Sequence, residues 1–485
     1  MAQRVAKAEE LRAAGKDPYP LRSERTHTAA EINGLVGALP EGEHEVAGIE
    51  VDIAGRVVAR RDMGKATFID LQDGSGRIQV LLRQNAIEDY ESLRLIDLGD
   101  FVGVHGVPIR TRTGQPTVQA ANWTMLTKAL HAPPEKYHGL ADPETRQRRR
   151  YLDLMSNEET RRTFTVRSKV IAGIRRFLDA RGFLEVETPI LHESESGAAA
   201  KPFVTHFNAI DEDRVLRISL ELHLKRLLIG GFERVYEIGR NFRNEGMSFK
   251  HNPEFTMIET YEAYTDYLGV AEMVEEMVSS VAQDVLGTTA ITFRDHEIEL
   301  AAPWRRVTFL DAMREYGGPD LEEFATVDAL RAELRRRGVD APANAGYGKL
   351  CDEAMSHYIE PNLIQPTFLL DYPVELSPLA KRKPGNDRFV ERFECFVAGF
   401  EFGNAYTELN DPIEQRRRFA EQLALKEAGD DDVELVDEDF LFALEHGMPP
   451  TGGFGMGIDR LIMVLTGQSS IREVVLFPPL KSLKE

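Results

Sequence analysis

The segment 234–264 has little freedom in how it can fold. Its two ends alternate side chains with the period of a β-strand, and a polar loop, 246–253, joins them. The first strand puts Gly239, Asn241, Arg243 and Glu245 on one face. The second puts Phe255, Met257, Glu259 and Tyr261 on one face, and the loop carries Lys250, His251 and Asn252. Charged and aromatic groups gathered on single faces of neighbouring strands do not suit a plain core. They suit a concave site for a charged, flat ligand.

The chain around this segment has 485 residues, enough for about two to four domains, and its 42% hydrophobic and 29% charged residues are those of an ordinary globular protein. No apolar run is long enough to cross a bilayer, and the first residues read as a polar helix rather than a leader, so no membrane association is expected. Two cysteines, Cys351 and Cys395, make neither a disulfide framework nor a metal cluster, which suits a reducing, cytoplasmic setting. The net charge of −21 speaks against a polyanionic partner for the chain as a whole. That charge is unevenly spread. Residues 1–140 hold 17 Lys and Arg against 19 Asp and Glu, so this near-neutral portion is the better candidate for binding nucleic acid.

In chain order, a helix over 2–14 ends at Gly15, and 19–47 reads as loop. Strands follow at 51–59, 67–72 and 77–82, the last two joined by the turn Asp73-Gly74-Ser75-Gly76. Two more lie near 100–108 and 117–126, with a short helix around 86–95. Five short strands and one helix predict an OB-fold barrel, a common binder of single-stranded nucleic acid. Phe68 and Gln79 are placed on its binding face, although the pattern alone reads Phe68 as barrel core. Arg60, Arg61 and Lys65 read as phosphate contacts or as a solvated face. Ala132-Pro133-Pro134 and the basic run Arg146, Arg148, Arg149 and Arg150 mark a linker, the arginines being solvated or phosphate-binding. The division is an N-terminal domain over 1–140 and a second domain over 141–485.

In the second domain, apolar spacing predicts helices over 165–181 and 270–286, a strand over 182–190 that runs into Pro189, and a helix holding Glu221. A helical insertion covers about 308–360. A helix over 411–428 precedes the acidic run 429–434, which reads as a solvated face and not a metal site. Strand alternation puts Asn404, Tyr406 and Glu408 on one face. Glycines at 453, 455 and 457 match neither a dinucleotide fingerprint nor a Walker motif. They let the start of the following apolar helix, which holds Arg460, approach another backbone or a ligand.

Phe242-Arg243-Asn244-Glu245, the stretch 251–256, the strand ending at Pro189 and the stretch 455–460 together resemble the three signature motifs of class II aminoacyl-tRNA synthetases. The OB-like first portion places the resemblance in the subgroup for aspartate, asparagine and lysine, and the stretches 219–226, 257–261 and 406–411 are similar to its lysine-specific members. The resemblance implies an α+β chain: an N-terminal OB-fold β-barrel that binds the anticodon, and a class II synthetase catalytic domain, an antiparallel sheet flanked by helices. It implies a homodimer paired through the Pro189 segment. The implied activity is ATP-dependent activation of lysine to lysyl-adenylate and its transfer to the 3′ end of lysine tRNA, with tRNA and not DNA as the nucleic-acid partner.

The same resemblance implies a role for each site residue. Arg243 and Arg460 are catalytic, Arg243 clamping the lysine carboxylate and the α-phosphate, Arg460 covering adenine or the γ-phosphate. Glu245 accepts from the adenine amino group, Phe255 stacks on the ring, and His251 and Asn252 contact the phosphate tail. Glu221 and the backbone of Gly197 hold the α-ammonium, and Glu408 with Tyr261 holds the ε-ammonium. Glu259 and Asn404 complete the wall, and Tyr406 lines the substrate stem. Glu394 and Glu401 resemble the family's Mg²⁺ ligands. Seven residues apart, they fall on opposite faces of a straight strand, so a bend near Gly399 is expected. In the barrel, Phe68 stacks an anticodon base and Gln79 bonds one. The sequence departs from the family pattern at Gln115, Ser196, Lys201 and Phe400 and leaves the reaction class intact.

The residues themselves bear on the substrate. A cationic side chain in a partly dry pocket needs carboxylates around it, so acid-rich strand faces favour lysine over the aspartyl or asparaginyl alternative. An inactive RNA-binding regulatory paralogue is the other alternative, and the intact set Arg243, Glu394, Glu401 and Arg460 argues against it.

Overall fold

Apolar residues at every second position of β1 (Val51–Met63), β2 (Ala66–Gln72), β3 (Arg77–Arg83), β4 (Phe101–Arg110) and β5 (Pro116–Thr127) turn inward and close a barrel in the order β1-β2-β3-β5-β4. Val51, Ile53, Ile69, Val80, Val104 and Trp123 fill it. The structure is a computed structural model that describes residues 1–134, 140, 142–194, 200–342, 345–427 and 437–482. Ser196, Gly197 and the acidic run 429–434 lie outside the described residues. The chain divides into two compact units, Met1–Ala141 and Asp142–Glu485, and the barrel is the first.

Three features of this unit differ from the sequence reading. The region 19–47 contains a helix, Ala29–Gly37, whose signal was the capping box formed by Thr28 and Glu31 ahead of the buried Ile32 and Val36. The helix around 86–95 is a 3₁₀ turn, Tyr90–Leu95. Phe68 is not barrel core: β2 turns Thr67, Ile69 and Leu71 inward and leaves Phe68, Asp70 and Gln72 half-buried on the outer face. Arg60 donates to the carbonyls of Leu93 and Ile96 and pairs with Asp62, and Arg61 pairs with Asp70.

The second unit is built on a nine-stranded sheet. Its strands, with the two small sheets beside it, are β6 (Leu184–Glu185), β7 (Leu191–His192), β8 (Val204–Phe207), β9 (Glu212–Leu216), β10 (Arg234–Phe242), β11 (Glu254–Ala263), β12 (Ala290–Phe293), β13 (His296–Glu299), β14 (Arg305–Thr308), β15 (Thr367–Pro373), β16 (Arg382–Lys383), β17 (Asn386–Val397), β18 (Phe400–Thr407) and β19 (Thr451–Gly457). The large sheet runs β14-β15-β17-β18-β19-β11-β10-β6, with β16 against β17; β7-β9-β8 and β12-β13 form the small ones. It is antiparallel except at β14–β15 and β10–β6.

Helices Glu158–Ala180, Tyr267–Leu286 and Ile458–Thr466 cover one face of the sheet, burying Val170, Ile174, Met277, Val281 and Ile462 against Ile258, Ala405 and Met456. Alternation then turns Met257, Glu259, Asn404 and Tyr406 to the opposite face. The insertion carries helices Phe309–Glu315, Val327–Arg336 and Tyr347–Tyr358 around its own core of Phe309, Leu330 and Leu350. Among the described residues no helix is long and apolar enough to cross a membrane.

The stretch 182–190 is not one strand: only Leu184–Glu185 pairs, in parallel with β10. The glycines of 452–457 do more than open a helix. They form β19, in the middle of the sheet between β11 and β18. A glycine strand has no side chains to alternate, so the periodicity was blind to it. The ends of the basic run are held in ion pairs rather than open to phosphate. Arg150 is wholly buried, pairs with Asp153 and donates to the carbonyls of Arg472 and Leu476, while Arg146 pairs with Asp153 and Glu473.

Candidate active site

A cavity of about 420 Å³ opens between the β10–β11 hairpin and β17–β18, with β19 across its floor. Phe255, Met257, Glu259 and Tyr261 of β11 all line it. The first strand contributes less than its alternation suggests. β10 ends at Phe242, and Arg243 and Glu245 reach the cavity from the loop that follows. Asn241 is buried with neither end of its amide partnered, and the missing side chain of Gly239 leaves room for the Arg217 guanidinium.

The more exposed end of the cavity gathers cations and an aromatic face. The Arg243 guanidinium lies 5.3 Å from the centre of the Phe255 ring and 3.4 Å from the Ile218 carbonyl. Burial lowers its pKa from the usual arginine range, against the pull of Glu245. Glu245 accepts from the Lys201 backbone N–H at 3.2 Å. His251 sits 2.9 Å from the Ser248 hydroxyl, and burial, then Arg460 and Lys250, lower its pKa. Asn252 lines the cavity, but its amide donates to the Glu254 carbonyl at 2.6 Å and so braces the hairpin. Arg460 pairs with Glu401. Its helix is fixed to β11 by Asp459, which accepts from the Thr256 N–H at 2.8 Å and pairs with Arg167 at 2.6 Å.

Glu394 and Glu401 both line the cavity, but not by bending one strand. They lie on β17 and β18, a hairpin turned at Ala398 and Gly399, both at positive φ. A bulge then makes Phe402 the extra residue: Cys395 faces Gly403 while Phe396 faces Glu401. The extra residue reverses the parity of β18, so Glu401 joins Asn404 and Tyr406 on the cavity side. Burial pushes Glu394 up to about 7, opposed by Arg392 and helped by the charge of Glu401. Arg392, half-buried beside it, contacts Glu394 at 2.5 Å and donates to Asn404 Oδ1 at 2.9 Å. Among the described residues no three His, Cys, Asp or Glu side chains group as a complete metal cage.

The buried end is acidic. Glu259 accepts from the Leu220 N–H at 3.1 Å, from the Ser219 hydroxyl at 3.2 Å and from the Tyr261 hydroxyl at 3.0 Å. Burial, with the charge of Glu221, pushes it up to about 7. Glu221 opens the helix Glu221–Ile229, and Glu408 follows the end of β18. Between them stands Lys225, its Nζ 2.6 Å from Glu221 and 2.5 Å from Glu408. Burial pushes Glu408 up to about 8, against the pull of Lys225. The Lys225 ammonium is held above the usual lysine range, since the Glu221 and Glu408 charges outweigh the burial that opposes it. One cation stands among three buried carboxylates, so the cluster holds more negative than positive charge. Glu408 Oε1, above Gly453, has no hydrogen-bond partner.

Sequence reasoning passed over Lys225, Arg392 and Asp459. Arg392 was legible, since alternation puts it on the same face as Glu394. Lys225 was hidden because an exposed face of a helix and a buried ion pair look alike in sequence. On the barrel, Gln79 lies on the outer face beside Phe68, where the Thr117 hydroxyl donates to its Oε1 at 3.0 Å.

Residues 142–481 match the family model described as tRNA synthetases class II (D, K and N), and 51–126 match an OB-fold nucleic acid binding domain. A lysine–tRNA ligase of Dehalococcoides mccartyi is 50% identical over 100% of this chain and 98% of its own length. That of Moorella thermoacetica is 50% identical over the same shares, and that of Bacillus subtilis is 50% identical over 98% of this chain and 96% of its own. With the class II model matched over 142–481 and relatives matched over the full length, the chain belongs to the class II aminoacyl-tRNA synthetases, in the lysine–tRNA ligase family.

Proposed function

We propose that this protein activates lysine with ATP, releasing pyrophosphate, and passes the lysyl group from lysyl-adenylate to the 3′ end of a lysine tRNA. The buried acid cluster of Glu221, Glu259 and Glu408, at the far end of a cavity that begins with Arg243, Phe255 and Arg460, carries the choice of lysine. The ε-ammonium meets Glu408 and Tyr261, the α-ammonium meets Glu221, and Glu259, Asn404 and Tyr406 enclose the stem. Adenine stacks on Phe255 with Glu245 accepting from its amino group, and Arg460, His251 and Asn252 flank the phosphates.

In the first step a lysine carboxylate oxygen attacks the α-phosphorus as the bond to pyrophosphate breaks. Such a displacement needs alignment and charge neutralisation more than a base. Arg243 supplies both by bridging carboxylate and α-phosphate with its planar fork. Glu394 and Glu401 fit a magnesium ion: they are hard oxygen donors on one wall, brought to the same side of the cavity by the bulge at Phe402. An ion held there supplies charge for the departing pyrophosphate. The terminal adenosine hydroxyl of tRNA then attacks the lysyl carbonyl and AMP leaves, while Phe68 and Gln79 on the barrel meet the anticodon.

The chain works as a homodimer in the cytoplasm. Leu184, Ile190, Leu191, Val204 and Phe207 are all more than 40% exposed around Pro189, an apolar patch that suits a partner subunit. The test is ATP–pyrophosphate exchange with each amino acid in turn. Lysine alone should support it, and Glu408→Gln should raise the lysine KM while sparing the ATP KM. Exchange with aspartate or asparagine instead overturns the reading, and RNA binding without any exchange supports the paralogue.

A further inference from the structure

Lys225 has no part in the scheme above, yet it is wholly buried and fully engaged beside the pocket. It does not line the cavity. It stands behind Glu221 and Glu408, which do, and takes one oxygen of each. A buried ammonium is costly and persists only where carboxylates surround it. A plain strut between a helix and a strand end needs no such group.

We propose that Lys225 is the residue that matches the charge of the amino-acid pocket to lysine. This rests on the assignment of Glu221, Glu259 and Glu408 to the substrate. With Lys225 and Arg243 present, the three carboxylates leave the pocket one negative charge, and free lysine, with two ammonium groups and one carboxylate, carries one positive charge. Without Lys225 the filled pocket keeps a buried negative charge that no group answers.

Among the described residues no other cation pairs with Glu221 or Glu408. Glu221 shares its helix, Glu408 comes from the end of β18, and Glu259 and Tyr261 come from β11. From helix Glu438–Leu444 it meets the Phe440 ring at 5.9 Å. Arg226, next in the chain, pairs with Asp437 and Asp439. In a variant lacking the ammonium, a proton takes its place: one carboxylate stays protonated with lysine bound. That protonated carboxylate no longer offers the substrate ammonium a full charge, so the loss falls on lysine and spares ATP.

The test is Lys225→Met in ATP–pyrophosphate exchange, with lysine and ATP varied separately, beside Lys225→Arg, which keeps the charge. The ATP KM should hold in both. The lysine KM should exceed wild type by about tenfold or more in Lys225→Met and by less in Lys225→Arg. Equal rises in the two variants, a parallel rise of both KM values, or an unchanged lysine KM overturns the proposal. Glu408→Gln separates the two levels. If it too leaves the lysine KM unchanged, the pocket assignment has failed, whereas its lysine-specific loss beside a silent Lys225→Met rejects the charge matching alone. Should Lys225→Met not melt as a folded protein, Lys225→Gln takes the same comparison. If neither folds, Lys225 is a strut and the proposal falls.

Discussion

Gly453→Ala places a single methyl where the site has no room for one. The added carbon would overlap Glu408 Oε1 and come within 2.6 Å of the Tyr261 ring. Neither neighbour can step aside freely. Tyr261 is buried and donates its hydroxyl to Glu259, and Glu408 is held by Lys225. The backbone cannot retreat either, because Gly453 pairs with Tyr261 on one side and Tyr406 on the other. Overpacking of this kind costs about 1–3 kcal/mol. The softest relief is to turn Glu408 out of its position, so the cost falls on lysine binding. At about 1.4 kcal/mol per tenfold, the lysine KM should rise between about 5-fold and about 150-fold. The assay is ATP–pyrophosphate exchange with lysine varied at saturating ATP, then the reverse. The ATP KM should stay within about threefold of wild type, because Phe255 and Arg460 keep their supports. Gly455→Ala is the control. Its methyl would meet Met257 and Glu259 at ordinary distances of 3.5 and 3.6 Å, and should do much less. An unchanged lysine KM in Gly453→Ala, or equal rises for both substrates, would refute the reasoning.

Further tests follow from the same geometry. Glu259 and Glu408 rise from an ordinary 4.5 to about 7 and about 8, so their stabilising contribution is complete below pH 4.5 and lost as pH rises through 7 to 8. The Tm of ligand-free protein should therefore fall between pH 6 and pH 9 and saturating lysine should lessen the fall; a lysine effect that does not grow with pH counts against the pocket. Phe68→Ala should cut tRNA charging about tenfold, the scale of one lost base stack, and leave exchange intact; a loss in exchange would place Phe68 in the fold rather than at the anticodon. Glu401→Gln should raise the half-maximal magnesium concentration for exchange by about tenfold or more, and an unshifted titration would remove Glu401 from the metal.

Side chains that alternate were the legible part of this molecule. The face of β11, the barrel strands and the long helices follow from spacing that any strand or helix must repeat. The parity of Glu401 was not legible, because one bulged residue, Phe402, reverses it and leaves no mark in composition. β19 escaped for the opposite reason: with glycine at four of its seven positions it has almost no pattern to read. The helix Ala29–Gly37 was missed although Thr28 and Glu31 announced it, since a short helix behind a polar stretch resembles a loop. Lys225 lay inside a quoted motif, but its burial depends on β18 arriving from about 180 residues later.

The glycine strand also limits how this pocket could be redesigned. A binding site is commonly enlarged by trimming a side chain from its wall, but at Gly453 there is nothing left to trim. The end of the pocket nearest Glu408 is already bare backbone, hydrogen-bonded on both edges. Amino acids with a bulkier terminus than lysine can gain space only through β11 or β18, where Met257 and Tyr406 still have side chains to shorten. Selections for such substrates should accumulate changes on those two strands and leave β19 untouched.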